Sequence, residues 1–173
     1  GSGKTTTIKL LQERGYTTTI EHARHYLDTQ LIQGKSVEEV KQNQRTFQLG
    51  VLEMQIEQEA SLNPDEIVFL DRALPDALAY YRFLNLSIDE RLVEALRSAS
   101  YKKVFILDLL PLVQDYARRE DEAAQKKIHE LLIEVYRSFG FHVIQVPVLP
   151  PEERVDFILR NISAPQHAKN DVL

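Results

Sequence analysis

Gly1-Ser2-Gly3-Lys4-Thr5-Thr6 is the stretch on which the fold turns. Gly3-Lys4-Thr5 matches the second half of the phosphate-binding loop G-x-x-x-x-G-K-[ST]. In such loops backbone N–H groups turn inward as an anion nest. The helix that follows aims its positive end at the same point. Gly3 lets the backbone approach a phosphate, Lys4 is suited to bridge the β- and γ-phosphates, and the Thr5 hydroxyl is suited to ligate Mg²⁺. With Gly1, Ser2 and Thr6 these residues form the candidate ATP-binding loop. A lone Gly-Lys-Thr is a weak signal, and Gly-Ser-Gly is also what a cloning scar leaves. The next residues decide. Ile8, Leu10 and Leu11 give a short apolar helical stripe, Gly15 stands as a C-cap, and Tyr16 to Ile20 reads as a strand. Loop, helix, strand is the context the motif requires. A buried strand normally precedes the loop; its absence from the sequence predicts further residues upstream, because a sheet without it has an unpaired slot.

Composition narrows the alternatives. The chain has 173 residues, enough for one domain with a sizeable core, and 43% hydrophobic with 27% charged residues marks it as globular. A net charge of −5 without a basic tract argues against nucleic acid as the main partner. There is no cysteine, hence no disulfide and no thiolate metal site, which fits a cytoplasmic protein. No apolar run approaches the roughly 20 residues of a membrane span.

Along the chain, Thr17 to Ile20 ends in Glu21-His22-Ala23-Arg24. Ligands of open α/β sheets sit at the carboxyl ends of strands, which makes Glu21 and Arg24 candidate substrate residues. An ordinary i,i+3 ion pair fits the same spacing. His22 and His25 share a helical face, but no third metal ligand follows at a suitable spacing. Ser36 and Glu39 read as a capping box that opens a long helix to about Ser61, with Val37, Val40, Phe47, Val51 and Met54 inward. Its glutamines read mainly as a solvated face, with one or two of them and Arg45 able to line a pocket. Ile67 to Leu70 is a continuous apolar run of the kind a doubly covered parallel strand shows. It ends in Asp71-Arg72. A carboxylate at such a tip can hold Mg²⁺ through water or accept a proton from a substrate hydroxyl, and Arg72 can clamp an anionic substrate. A structural salt bridge is the competing reading. Pro75 opens a helix with Leu78, Tyr81 and Phe83, and Asp89 to Ala99 forms another.

Lys103 to Leu107 is the next strand. A helix from Asp115 to about Phe139 follows, with Ile128, Leu131, Leu132, Val135 and Phe139 inward. Arg118 and Arg119 at its start are either a solvated charge run or a lid over bound phosphates. His142 to Val146 is the last strand, and Pro150 opens a final helix through Ile162. The domain is read as residues 1–162, with 163–173 a loosely ordered tail.

Several of these segments together carry a family resemblance. Gly1 to Thr6, Glu21 to Arg24, Asp71-Arg72-Ala73-Leu74-Pro75-Asp76 with Ala79-Tyr80-Tyr81, and Val146 to Pro150 with Glu153-Arg154-Val155 resemble the AAA_28-type P-loop ATPases. These are a bacterial group related to the kinase domain of the NadR nicotinamide-riboside kinases. The resemblance covers nearly the whole chain. It implies a three-layer α/β nucleotide-kinase-type fold: a five-stranded parallel sheet in the order 2-3-1-4-5, with helices on both faces. It also implies that Asp71-Arg72 is the substrate-side motif and Arg118 the lid arginine. Ala73, where a glycine is common, and Asp108-Leu109-Leu110-Pro111, where a more proline-rich run is common, are departures on the substrate side.

Two functions follow as expectations. In the first, the protein is a small-molecule kinase. Asp71 orients or deprotonates an acceptor hydroxyl, while Lys4, Arg118 and Mg²⁺ stabilise the transferring phosphoryl group. In the second, it is a regulatory module in which bound nucleotide orders the lid. No Asn-Lys-x-Asp guanine motif occurs, which favours ATP over GTP. The long helix of residues 36–61 is a candidate homodimer surface.

Overall fold

The computed structural model describes residues 2–19, 33–36, 39, 42–111 and 119–172. In chain order its elements are α1 (Lys4–Glu13), β1 (Thr17–Thr18), α2 (Gln44–Ala60), β2 (Val68–Phe69), α3 (Leu74–Phe83), α4 (Glu90–Ser98), β3 (Val104–Leu107), α5 (Arg119–Ser138), β4 (Val143–Val146) and α6 (Pro151–Val172). They group into two compact units, one of Gly1–Tyr16 with Tyr101–Leu173, the other of Thr17–Ser100. The described strands form two sheets of two, β1 with β2 and β3 with β4, both parallel.

In the first unit, β3 and β4 run in register from Val104↔Val143 to Leu107↔Val146. Their β-branched and aromatic residues suit the pleated surface. Ile106 and Val146 are buried, as are Leu11 of α1, Val135 and Tyr136 of α5, and Val155 and Ile158 of α6. Each such side chain contributes roughly 1.5–3 kcal/mol of apolar burial. α1 ends in a Schellman turn: Tyr16 N–H bonds Leu11 O at 3.1 Å and Gly15 N–H bonds Gln12 O at 3.0 Å. Gly15, at φ 93°, supplies the left-handed residue this turn requires. Just before it, Arg14 forks across Glu152 at 2.7 Å and Asp156 at 2.6 Å on α6.

Two expectations change here. The inward stripe of α5 closes on Tyr136, while Phe139 is 41% exposed. Phe139 lies in the last turn before Gly140 and stacks on Phe141 at 6.2 Å between ring centres. α6 also runs on to Val172, past the expected helix end at Ile162.

In the second unit, Ser36 Oγ accepts the Glu39 N–H at 3.1 Å, as the capping signature predicts. The expected single helix from Ser36 is nevertheless interrupted. Asn43 sits at φ −104°, ψ 77° and caps a fresh helix, accepting from Thr46 N–H at 3.2 Å. Asparagine side chains compete with the helix for backbone groups in this way. The break resets the helical phase. α2 therefore buries Phe47, Gln48, Leu52 and Gln55, with Val51 and Met54 only half-buried. β2 also departs from the doubly covered reading. Ile67 is 56% exposed and Val68, Phe69 and Leu70 are half-buried. Arg45 forms an ion pair with Asp89 and donates to Ser87 O at 3.3 Å. No described helix is long and apolar enough to cross a membrane.

α3 buries Leu74, Pro75, Leu78, Ala79 and Tyr81. The Tyr81 hydroxyl donates to Asp89 Oδ2 at 2.8 Å. Burial, and then this bond to a carboxylate, push the phenol pKa well above its ordinary value. An unfolded tyrosine ionises near pH 10, at which the folded one keeps its proton. The stability this supplies is therefore fully present below about pH 10 and is lost as pH rises above it. Melting temperature should fall between about pH 9.5 and 11, and Tyr81→Phe should flatten that fall while costing about 1 kcal/mol at neutral pH. Parallel pH profiles for wild type and variant would remove Tyr81 from the account.

Candidate functional site

Gly3 is the N-cap of α1, at φ 81° and ψ 16° in the left-handed region. A Cβ there would stand 3.3 Å from both Arg154 Nη1 and Leu110 Cδ1, so conformation and space both require glycine. The Gly3 carbonyl accepts the N–H and the hydroxyl of Thr7, each at 3.1 Å, which locks the first turn. No side chain caps this helix end, and no acidic residue lies in its first turn. The end keeps its positive character for an outside anion. Lys4 is half-buried, and Thr5 and Thr6 expose their side chains in that first turn. Ser2 to Thr6 thus form one continuous candidate anion-binding element. An uncapped helix start behind a left-handed glycine has the chemistry to take a polyphosphate.

Arg154, quoted above only within the family resemblance, has a structural place that the sequence did not assign. It is 2% exposed. Nε donates to Pro147 O at 3.0 Å, Nη2 to Asp108 O at 2.7 Å, and Nη1 to Ser2 O. Burial lowers its pKa, and the charge of Asp108 acts the other way. A signal existed. Arg154 occupies the apolar stripe of α6 beside Val155 and Ile158, where the helical period calls for a hydrophobic residue.

In the second unit the turn after β2 is fixed by side chains at every step. Asp71 N–H donates to Thr19 Oγ1 at 2.9 Å. Arg72 O accepts from Gln55 Nε2 at 3.3 Å. Ala73 N–H donates to Asp76 Oδ1 at 3.1 Å, and Leu74 N–H to Glu59 Oε2 at 2.9 Å. Gln55 Nε2 also donates to Glu59 Oε2 at 2.7 Å. The buried glutamine of α2 thus supports this turn. Asp71 is 7% exposed, with Oδ1 wholly out of solvent. Arg72 adopts φ 69°, and its guanidinium lies over the Tyr80 ring at 4.9 Å. A non-glycine residue in that region is strained, and such strain clusters at functional sites.

The structure therefore brings Ser2, Gly3, Lys4, Thr5 and Thr6 together in one unit and Asp71 with Arg72 in the other. Gly1, Glu21, His22, Arg24, His25 and Arg118 lie outside the described residues. Among the described residues no three His, Asp or Glu side chains form a metal cluster.

An uncapped helix behind Gly-Lys-Thr, with parallel strand pairs and covering helices, defines a P-loop nucleotide-binding domain of α/β type. Residues 1–154 match the AAA-domain family AAA_28, and the chain belongs to that family. A comparison with curated proteins finds no match.

The left-handed Arg72 yields a stability test. Arg72→Gly and Arg72→Ala both lose the guanidinium–Tyr80 contact, and only glycine relieves the backbone. The glycine variant should be more stable than the alanine variant by about 1 kcal/mol. Chemical denaturation of the pair would show it; the reverse order would place Arg72 outside the left-handed region in solution.

Proposed function

We propose that the protein is an ATP-dependent small-molecule kinase, transferring the γ-phosphoryl group to the hydroxyl of a nucleoside-like or cofactor-precursor acceptor. The observation that carries this reading is Asp71: a buried carboxylate at a strand tip, held by a fully pinned turn and followed by a strained arginine, in a chain with a phosphate loop. A simple nucleotide switch has no evident use for that arrangement. The five-strand order 2-3-1-4-5 belongs to the same proposal: β1 with β2 and β3 with β4, each parallel, are the 2-3 and 4-5 neighbours of that order. So does the kinship with nicotinamide-riboside kinase domains.

In this reading Lys4 and the start of α1 bind the polyphosphate, and Thr5 supplies a hydroxyl ligand to its Mg²⁺. Bound Mg²⁺ neutralises charge on the phosphate oxygens. Asp71 accepts the proton of the acceptor hydroxyl or holds the metal through water, and Arg72 clamps an anionic group of the acceptor. Glu21 and Arg24 remain proposed acceptor residues, and Arg118 the proposed lid arginine. Screening nucleosides and cofactor precursors for acceptor-dependent ADP release tests the reading. Binding of ATP without turnover on any acceptor would favour the regulatory module instead.

Lys4→Ala should remove most phosphate-dependent nucleotide affinity while the fold persists. Titration with ATP and with adenosine separates the two effects; equal ATP affinity in the variant would cancel the loop assignment. Asp71→Asn keeps shape and removes charge. It should cut transfer by roughly 10²-fold or more with ATP still bound. If Asp71 is only structural, activity survives and stability falls by roughly 1–3 kcal/mol. Turnover and a denaturation midpoint, measured together, decide between them.

A further inference from the structure

We propose that Arg154 is a positioning residue for the phosphate loop: its guanidinium grips the Ser2 carbonyl and thereby aims the Gly3 N–H at a bound polyphosphate that Arg154 itself does not touch. The inference rests on the nucleotide-binding reading of the loop.

The three acceptors of Arg154 come from three segments of one unit. Asp108 O lies one residue past the end of β3, and Pro147 O one residue past the end of β4. Those two tips are held in register by the strand ladder, including Asp108 N–H to Val146 O at 2.9 Å. They form a rigid base for the guanidinium. The third acceptor, Ser2 O, is in the loop itself. A trans peptide is planar, so its C=O and N–H point in opposite directions. Holding the Ser2 carbonyl toward Arg154 therefore turns the Gly3 N–H away from Arg154. In an anion nest the N–H must face the ligand.

Among the described residues the hydrogen-bond acceptors of Arg154 are main-chain carbonyls. Its charge is buried beside Gly3, where an anion gains from it. The planar fork of an arginine holds three separated carbonyls along fixed directions; a lysine ammonium offers its three donors from one point on a flexible stem.

The experiment compares wild type, Arg154→Ala, Arg154→Lys, Lys4→Ala and Val135→Ala. Val135 is a buried core residue of the same unit and serves as the control for simple loss of stability. Melting temperatures are measured beside dissociation constants for magnesium ATP and inorganic tripolyphosphate, at a temperature where each variant is folded. Arg154→Ala and Arg154→Lys should each lose affinity for both probes by about tenfold or more, the usual size of effect for a residue that orients a ligand-binding group. Val135→Ala should lose stability and keep affinity. Guanidinium ion, added far below denaturing concentrations, should restore binding to Arg154→Ala and not to Lys4→Ala. If the alanine variant does not fold, the lysine variant gives the reading. Arg154 variants that bind as well as Val135→Ala at matched stability overturn the proposal and leave the loop assignment intact. A wild-type chain that binds neither probe overturns the loop assignment, and the proposal with it.

Discussion

Burying a guanidinium costs several kcal/mol unless its donors find acceptors. Arg154 meets that demand with carbonyls left over at the ends of two parallel strands and in the loop before α1. The dependence is mutual. Parallel strands end with carbonyls that the ladder no longer uses, and the phosphate loop needs its peptides turned one way. One side chain in the first turn of α6 answers both needs. Tight packing around Gly3 follows, since a single added carbon would meet both Arg154 and Leu110.

The second unit solves a comparable problem with neutral and acidic groups. The turn from Asp71 to Leu74 leaves the β2 ladder before α3 begins, so its backbone groups must find partners elsewhere. Thr19, Gln55, Asp76 and Glu59 supply them. A turn held at so many points can keep Arg72 in a conformation that costs about 1–3 kcal/mol. Strain of this kind persists only where the surroundings over-determine the backbone.

Local chemistry was legible in the sequence. Gly3, Gly15 and Gly140 all take the positive φ expected of glycines at helix ends. Pro75 sits in the first turn of α3 as its residue type implies, while Asp89 stands at the N-cap of α4 with its carboxylate turned to Tyr81 and Arg45. What escaped depends on partners distant in the chain. Arg154 has no assignable role until its three carbonyls are known. Gln48 and Gln55 read as a solvated face because the helical phase was counted from Val37 and Val40, across the break that Asn43 makes. Tyr136 and Phe139 are both apolar enough for the core, and only the packing around Val135 decides which one enters. The phosphate-loop family was therefore legible, and contacts that join distant elements were not. A phosphate is recognised by main-chain geometry written in a short motif, whereas an acceptor is recognised by side chains collected from several elements.

The unit that holds the phosphate loop is assembled from residues 1–16 and 101–173. Arg14 finds its carboxylates 138 and 142 positions further along the chain, and Ser2 meets Arg154 across 152. On a ribosome, where a chain emerges N-terminus first, the loop is synthesised early and completed late. The Thr17–Ser100 unit is contiguous and has its own buried side chains, so it can condense while α1 waits. If Arg154 aims the loop as proposed, nucleotide binding is acquired only once α6 has cleared the exit tunnel, and a nascent chain arrested before that point carries the motif without its support.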